Sequence, residues 1–226
     1  MSEVAFDPRI GATVSGSLEF HEAHAAVHLE RYFGARPIVL VLGYFGCRHL
    51  CPLLVDGVSE ALARSGMKPD RDYAALFVSI DRRDEAAAPK RREGWHMLTG
   101  AASAASLAQS VGFKFFYEKE SGEFAHPAGF LVLTPQGEVA RYFPGVRFDA
   151  QLVKAAIDDA AHGRTSSAFE RFLLRCFHDP VTGKYSQAVL VSLRVAALLF
   201  LALLAFFGWR WLKTPAVRRP STRWNV

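Results

Sequence analysis

The stretch "PIVLVLGYFGCRHLCPLLVDGVSEALARSG", Pro37 to Gly66, combines a strand pattern, two cysteines and a helix pattern in one short run. Its first part, residues 37–45, is a nearly continuous apolar run bounded by Pro and Gly, which is typical of a strand buried on both faces. After Cys51 the apolar residues fall at helical spacing, and Gly66 ends the pattern. The stretch therefore predicts a central strand, a cysteine-bearing loop and a helix.

The alternation of strands and helices continues along the chain, while residues 1–36 mix short polar and apolar runs. "DYAALFVSI", residues 72–80, predicts a second buried strand, and "GFLVLTPQGEVARYF", residues 129–143, predicts two strands around a Thr-Pro-Gln-Gly turn. Residues 83–94 predict a short charged helix, residues 95–100 a short strand, and residues 101–112 an Ala-rich helix. Residues 113–119 predict a strand or bend, and residues 148–163 an amphipathic helix. This order predicts an α/β fold with a mixed sheet.

The composition suits one folded domain with an appendage. The chain has 226 residues and is 50% hydrophobic, which gives room for one packed core but not for two full domains. Its net charge of +5 and pI near 9.3 raise the question of nucleic acid, but basic and aromatic residues do not interleave on one face. We therefore expect no nucleic-acid partner.

The most apolar stretch, residues 188–213, precedes a basic C-terminus. It contains no Asp, Glu or Pro, and it predicts one transmembrane helix over 188–212 in which Arg194 and Arg210 snorkel to the interfaces. The tail has basic and no acidic residues, which favours a cytoplasmic tail and places the larger part across the membrane. We therefore expect a folded domain in residues 1–165 and a juxtamembrane segment in residues 166–187. The transmembrane helix, residues 188–212, and a cytoplasmic tail, residues 213–226, follow.

The first residues, "MSEVAFDPRIGATVSG", lack the basic and apolar regions of a signal peptide. An upstream start with an export signal and a tail-anchored protein that faces the cytosol are therefore both compatible with the sequence.

Cys47 and Cys51 lie where the predicted strand ends and the helix begins. The chain has three cysteines, so at least one thiol stays outside any intramolecular disulfide. The N-terminus of a helix offers unpaired N–H groups and a partial positive charge, which stabilise a thiolate. Sulfurs at positions i and i+4 share one helix face and can bind one ion or close one disulfide. The spacing alone leaves both uses open.

His126 favours the metal interpretation. It comes just before the strand predicted from residue 129, where a loop can bring its imidazole over the cysteine loop. Two thiolates and an imidazole form a soft, low-coordinate set that suits Cu(I), whereas zinc normally takes a fourth ligand. His49, between the cysteines, is either a solvated side chain, which we favour, or an extra ligand. Asp81 is either an orienting group of the site or a helix cap.

Six segments between residues 11 and 163 together resemble the Sco/SenC family. They are "PIVLVLGYFGCRHLCP", "LFVSIDRRDE", "GWHMLTG", "SVGFKFFYE", "FAHPAGFLVLTPQGEVARYFPGVRF" and "LVKAAIDDAAHG". The resemblance implies a thioredoxin-like sheet flanked by helices, with an extra hairpin. The family's copper ligands are the two cysteines of a C-x-x-x-C-P motif and a distant histidine, which match Cys47, Cys51 and His126 here.

The resemblance implies a membrane-anchored copper metallochaperone that delivers copper to the binuclear copper site of cytochrome c oxidase, or keeps that site's cysteines reduced. Its partner would be the copper-bearing subunit of the oxidase or another copper chaperone. A C-terminal anchor resembles a bacterial subgroup, which implies the bacterial inner membrane and a domain that faces the periplasm or cell exterior. The residues also fit two alternatives: a thiol-disulfide oxidoreductase in which Cys47 attacks and Cys51 resolves, and a copper or redox sensor.

Two features depart from the pattern of the family: the cysteine loop, and the C-terminal anchor, which many members carry at the N-terminus. The loop reads "CRHLCP", with Arg48 and His49 where members commonly have proline and an acidic or polar residue. A cation beside the thiolates favours charged sulfur but repels Cu(I). Cys176 and His178 lie in the expected juxtamembrane segment. They are either a second metal or redox site or part of a loop with a free thiol.

Overall fold

The computed structural model describes residues 4–48, 50–86, 92–166, 194–201, 203–204 and 206. The chain divides into two units, Met1–Gly183 and Lys184–Val226. The strands and α-helices named below all belong to the first unit.

The first unit alternates short strands with three helices. Its strands are β1 (Ala5–Phe6), β2 (Glu19–Glu22), β3 (Ala25–His28), β4 (Ile38–Gly43), β5 (Ala74–Ser79), β6 (His96–Thr99), β7 (Phe113–Lys114), β8 (Phe116–Glu118), β9 (Glu123–Ala125), β10 (Gly129–Leu133) and β11 (Val139–Pro144). Its α-helices are α1 (Leu50–Arg64), α2 (Ala101–Ser110) and α3 (Ala150–Ala161). Two short 3-10 helices cover Leu29–Tyr32 and Arg82–Glu85.

Seven strands form one mixed sheet in the order β11-β10-β4-β5-β6-β2-β3. β4, β5 and β6 run parallel, whereas β10 pairs antiparallel with β4 and β11, and β2 pairs antiparallel with β6 and β3. Two small ladders, β1 with β7 and β8 with β9, stay outside this sheet. The arrangement is a mixed α/β fold, as the sequence patterns predict, and it is thioredoxin-like, as the resemblance implies.

The central strands are buried at every position. All residues of β4, β5 and β10 are buried, so both faces of the sheet are covered there. α1 buries Leu54, Val58 and Leu62 along one face and packs against α3, while α2 packs against β5 and β7. The predicted strand, loop and helix in the first stretch are therefore confirmed.

The predicted hairpin is also confirmed, since β10 and β11 pair across a tight turn. At this turn Gly137 has a φ of +83°, and a Cβ added there would lie 2.7 Å from the ring of Phe33. Only glycine meets both conditions without strain.

Two parts of the first unit differ from the expectation. The β2–β3 hairpin, in a region of mixed polarity, extends the sheet beyond β6, and its Phe20 is fully buried between exposed neighbours. The charged helix expected over 83–94 is replaced by the 3-10 helix Arg82–Glu85, while residues 87–91 lie outside the described part of the chain. Four-residue elements are too short to show a clear period in the sequence.

In the second unit, the described residues between 194 and 206 are helical and exposed. Within the described part of the chain, the structure contains no helix with the length and apolar character needed to cross a membrane. Only this middle part of the helix expected over 188–212 is described. The juxtamembrane segment beyond Ser166 and the tail 213–226 lie outside the described residues.

Candidate metal centre

Segments from distant parts of the chain meet at one edge of the sheet. β4 ends at Gly43, and the following loop carries Cys47 and leads into α1, whose first turn contains Cys51. β10 begins at Gly129 and runs antiparallel to β4, so it starts at the edge where β4 ends. His126, three positions before β10, is thereby brought to the cysteine loop.

Cys51 lies in the first turn of α1 and Cys47 in the loop before it, and the two are not joined in a disulfide. The backbone N–H of Cys51 donates to Sγ of Cys47 across 3.3 Å. Such a donor stabilises a sulfur that carries negative charge, either in a thiolate or as a metal ligand. Cys51 is buried and Cys47 is half-buried, so an approaching partner meets Cys47 first.

His126 is buried and presents one ring nitrogen to the sulfurs. Its Nε2 lies 3.5 Å from Sγ of Cys51, and its Nδ1 lies 3.1 Å from the carbonyl oxygen of Pro127. Because a carbonyl oxygen only accepts, Nδ1 carries the proton, and the lone pair on Nε2 faces the cysteines. The His126–Pro127 peptide bond is trans, as are the other described peptide bonds.

The structure therefore brings Cys47, Cys51 and His126 together. Their donor atoms, two Sγ and one imidazole nitrogen, all lie within 4.8 Å of one another. Donors this close can bind one ion together, and their softness fits Cu(I) better than a hard cation. Elsewhere in the described residues, no other three His, Cys, Asp or Glu side chains converge in this way.

Burial and neighbouring groups set the protonation of the site. A side-chain hydrogen bond with Cys47 and, second, burial raise the pKa of Cys51 well above its usual range. Burial and the adjacent Cys47 raise the pKa of Tyr44 to about 12, so the Tyr44 phenol stays protonated at neutral pH. A metal ion that binds Cys51 as a thiolate must therefore displace a proton.

Aromatic rings surround the imidazole. The rings of Tyr44 and Phe113 each have their centroid 5.9 Å from that of His126, and Phe124 packs against Tyr44 at 5.6 Å. These contacts limit rotation of the imidazole and exclude water from one side of the site.

Beside the site lies an open cleft of about 550 Å³. Its lining includes Gly46 and Arg48 from the cysteine loop, Arg83 from the 3-10 helix and Glu123 from β9. Arg48 is exposed at this cleft, where a partner molecule can approach Cys47.

Asp81 caps the 3-10 helix after β5, which is one of the two roles that the sequence leaves open. Its carboxylate accepts the backbone N–H of Arg83 at 2.9 Å. Asp84, which sequence reasoning missed, is buried and accepts the backbone N–H of Phe45 at 2.7 Å. An acidic residue just after a parallel strand beside the cysteine strand was the available signal, because adjacent parallel strands end at the same edge.

Three other residues singled out in the sequence, His49, Cys176 and His178, lie outside the described residues.

Comparison with known families identifies the chain. The family model SCO1/SenC matches residues 7–162, which is most of the 226-residue chain. The chain therefore belongs to the SCO1/SenC family. A search of the curated proteins finds no match.

Solved structures share the fold. A putative electron transfer protein from Aquifex aeolicus is 22% identical, with a TM-score of 0.59 over 69% of this chain and 96% of that chain. ScoI from Arabidopsis thaliana, solved with copper bound, is 16% identical, with a TM-score of 0.54 over 69% and 99%. BsSco, described as a Sco-family cytochrome c oxidase assembly protein with a disulfide switch, is 15% identical, with a TM-score of 0.50 over 72% and 99%.

Proposed function

We propose that this domain binds one copper ion through Cys47, Cys51 and His126 and transfers it to another protein. The convergence of these three donors within 4.8 Å carries the proposal. Two sulfurs and one imidazole nitrogen are the soft donors that Cu(I) prefers, and the copper-bound Arabidopsis relative has the same fold.

Transfer needs no enzyme-type activation. Copper passes by ligand exchange, in which each donor of the partner replaces one donor of this chain. Half-buried Cys47 is the first ligand that a partner reaches, whereas Cys51 and His126 are buried. Cys47 is therefore the ligand that we expect to be exchanged first.

We propose cytochrome c oxidase as the destination, either its copper-bearing subunit directly or another copper chaperone on the way. Membership of the SCO1/SenC family supports this, together with the description of BsSco as an oxidase assembly protein.

We also propose that residues 188–212 anchor the protein in the bacterial inner membrane, with the domain facing the periplasm or cell exterior. Large apolar side chains of the described helix, among them Leu198, Leu199 and Phe200, are exposed, which supports burial in lipid. A C-terminal fusion to a reporter that is active only in the cytoplasm tests the orientation, and activity is the expected result.

Copper titration of the reduced protein tests the metal site. We expect one Cu(I) per chain, and lower affinity for Cys47→Ala, Cys51→Ala and His126→Ala, as measured by competition with a chromophoric Cu(I) chelator. His21→Ala is the matched control, because His21 is an exposed histidine on β2. Unchanged Cu(I) binding by all three site variants would contradict the proposal.

A second function is favoured by the position of the two reduced sulfurs. The Cys47 thiolate would attack a partner disulfide, forming a mixed disulfide and releasing one partner thiol; Cys51 would then attack Cys47 and release the second. Two electrons thus pass to the partner, and this chain ends as a Cys47–Cys51 disulfide. His126→Ala separates the two functions. Loss of the protein's biological activity in this variant favours copper transfer, and retained biological activity favours thiol-disulfide exchange.

A further inference from the structure

The hairpin that leads directly into His126 is not part of the main sheet. β8 and β9 pair only with each other in the described structure, and β9 ends at Ala125, directly before His126. Sheet hydrogen bonds therefore do not fix this hairpin against the cysteine loop. Its position depends on side-chain contacts.

Arg83 supplies such contacts. Both terminal guanidinium nitrogens, Nη1 and Nη2, lie 3.3 Å from the carbonyl oxygen of Gly122, in the turn between β8 and β9. The guanidinium carbon also lies 5.6 Å from the ring centroid of Tyr117 on β8, a cation–π distance. One side chain thus contacts both the turn and one strand of the hairpin.

Asp81 holds Arg83 in place. Its carboxylate accepts Nε of Arg83 at 2.8 Å and pairs with Nη2 at 2.7 Å, and it is buried. The planar guanidinium turns its remaining N–H groups towards Gly122 because Asp81 occupies the other side. Arg83 is therefore oriented by a buried anion and is not a freely moving surface side chain.

The same 3-10 helix also holds the cysteine loop. Oδ2 of Asp84 accepts the N–H of Phe45 at 2.7 Å and the hydroxyl of Ser79 at 2.5 Å. Phe45 lies two positions before Cys47. One short helix therefore contacts both segments that carry the three donors.

We propose that Arg83 is a positioning residue for His126 and thereby sets how tightly the third donor is held. Without Arg83 the hairpin loses its contact with the 3-10 helix, His126 is held less firmly against the sulfurs, and a partner donor can replace it on copper more easily. This inference rests on the proposed copper site and names a determinant of its affinity.

The test compares Arg83→Gln with Arg82→Gln, in the full chain and in the His126→Ala background. Arg82 is exposed on the same 3-10 helix and makes none of these contacts, so it is a matched control for loss of charge. Removal of a group that orients a ligand typically weakens metal binding about 10- to 100-fold. We expect Arg83→Gln to weaken Cu(I) binding about tenfold or more and Arg82→Gln to leave it unchanged.

The double variant distinguishes positioning from a general effect on the fold. If Arg83 acts through His126, Arg83→Gln causes no further loss of Cu(I) affinity once His126 is alanine. NMR signals of the His126 imidazole in the metal-free protein should shift or broaden in Arg83→Gln and not in Arg82→Gln. Arg83→Lys, which keeps the charge but lacks the fork, should fall between wild type and Arg83→Gln, and it replaces Arg83→Gln if that variant does not fold.

Wild-type affinity in Arg83→Gln, or an equal loss with and without His126, would overturn the inference while leaving the copper site intact. Wild-type affinity in His126→Ala is the distinct outcome that removes the histidine from the proposed copper site, and this inference with it.

Discussion

Cys51 takes part in both proposed functions of the site, copper binding and thiol-disulfide exchange. Its N–H faces Cys47, and its sulfur faces His126. A hydrogen bond between the two thiol side chains, together with burial, raises the pKa of Cys51, so the metal-free thiol keeps its proton through the neutral range. Copper and a disulfide bond are two ways of replacing that proton. The same residue therefore links metal binding to pH and to redox state.

We expect Cu(I) affinity to rise with pH. A group with a raised pKa holds its proton below that pKa, and copper must displace it, so affinity increases about tenfold per pH unit for each proton released. Chelator competition under anaerobic conditions between about pH 6 and pH 8 measures the slope. Wild type should release about one more proton per copper than Cys51→Ala, and a pH-independent affinity would contradict the expectation.

Gly43 is the residue that lets Cys51 approach β4. A Cβ added at Gly43 would lie 3.0 Å from Sγ of Cys51 and 3.0 Å from the ring of Phe77. Gly43→Ala should therefore displace Cys51 and lower the free energy of unfolding by about 1–3 kcal/mol, with weaker Cu(I) binding.

Urea unfolding and chelator competition measure both effects of Gly43→Ala. Gly46→Ala is the control, because its added Cβ would come no closer than 3.7 Å to the Tyr44 ring, an ordinary contact. Equal behaviour of the two variants would mean that the close approach at Gly43 does not matter.

At the scale of elements, the 3-10 helix Arg82–Glu85 does more than connect β5 to β6. It follows β5 at the edge where β4 also ends, with Gly43 paired to Ser79 in the ladder. The short helix thus comes within reach of the cysteine loop, and its Asp84 replaces the missing backbone partner of Phe45.

Asp84→Ala should destabilise the protein by about 1–3 kcal/mol, because it leaves the N–H of Phe45 and the hydroxyl of Ser79 without their acceptor. Thermal or urea unfolding measures the loss. Ser79→Ala removes one of the two donors and keeps the other contact, so it should cost less. A larger loss in Ser79→Ala than in Asp84→Ala would argue against the carboxylate as the main contact.

Sequence patterns predicted the elements that have a period or a sharp boundary. β4 and β10 are apolar runs that start next to Pro or Gly, β5 is a nearly unbroken apolar run, and α1 repeats its apolar residues at helical spacing. The β2–β3 hairpin was not predicted, because only Phe20 and Val27 of its eight residues are buried. The two residues form a pair across the strands, and that pairing is not visible along the chain.

The candidate site shows the same division. Cys47 and Cys51 stand out by their spacing, and His126 stands out because it precedes a predicted strand; their assignment as ligands stays a prediction. Asp84 and Arg83 were missed because their partners, Phe45 and Gly122, are 39 residues away in each case. Only the pairing of the strands brings such residues together.

At the scale of the whole first unit, Tyr142 ties the N-terminal segment to the body of the fold. Its hydroxyl donates to the carbonyl oxygen of Val111 at 2.7 Å and accepts the backbone N–H of Arg9 at 3.0 Å. Its ring meets that of Phe6 on β1 at 5.6 Å. A single side chain on β11 thus contacts the N-terminal segment and the end of α2.

Tyr142→Phe should cost about 1–2 kcal/mol at neutral pH, through the loss of these two hydrogen bonds. Burial raises the pKa of Tyr142 from 10.0 to about 12, so its contribution is complete below pH 10 and is lost as the pH rises towards 12. Between pH 7 and pH 12 the free energy of unfolding should therefore fall less steeply with pH for Tyr142→Phe than for wild type. Tyr117→Phe, at an exposed tyrosine, is the control, and identical alkaline slopes for Tyr142→Phe and wild type would contradict the expectation.

The order of the three donors along the chain has a consequence for synthesis. Cys47 and Cys51 are four residues apart, whereas His126 follows Cys51 by 75 residues. A chain that grows from its N-terminus therefore exposes the dithiol before the imidazole and β10 exist. In that interval the two sulfurs can form a disulfide but cannot form the complete group, so the growing chain is vulnerable to oxidants before it can bind copper through all three donors.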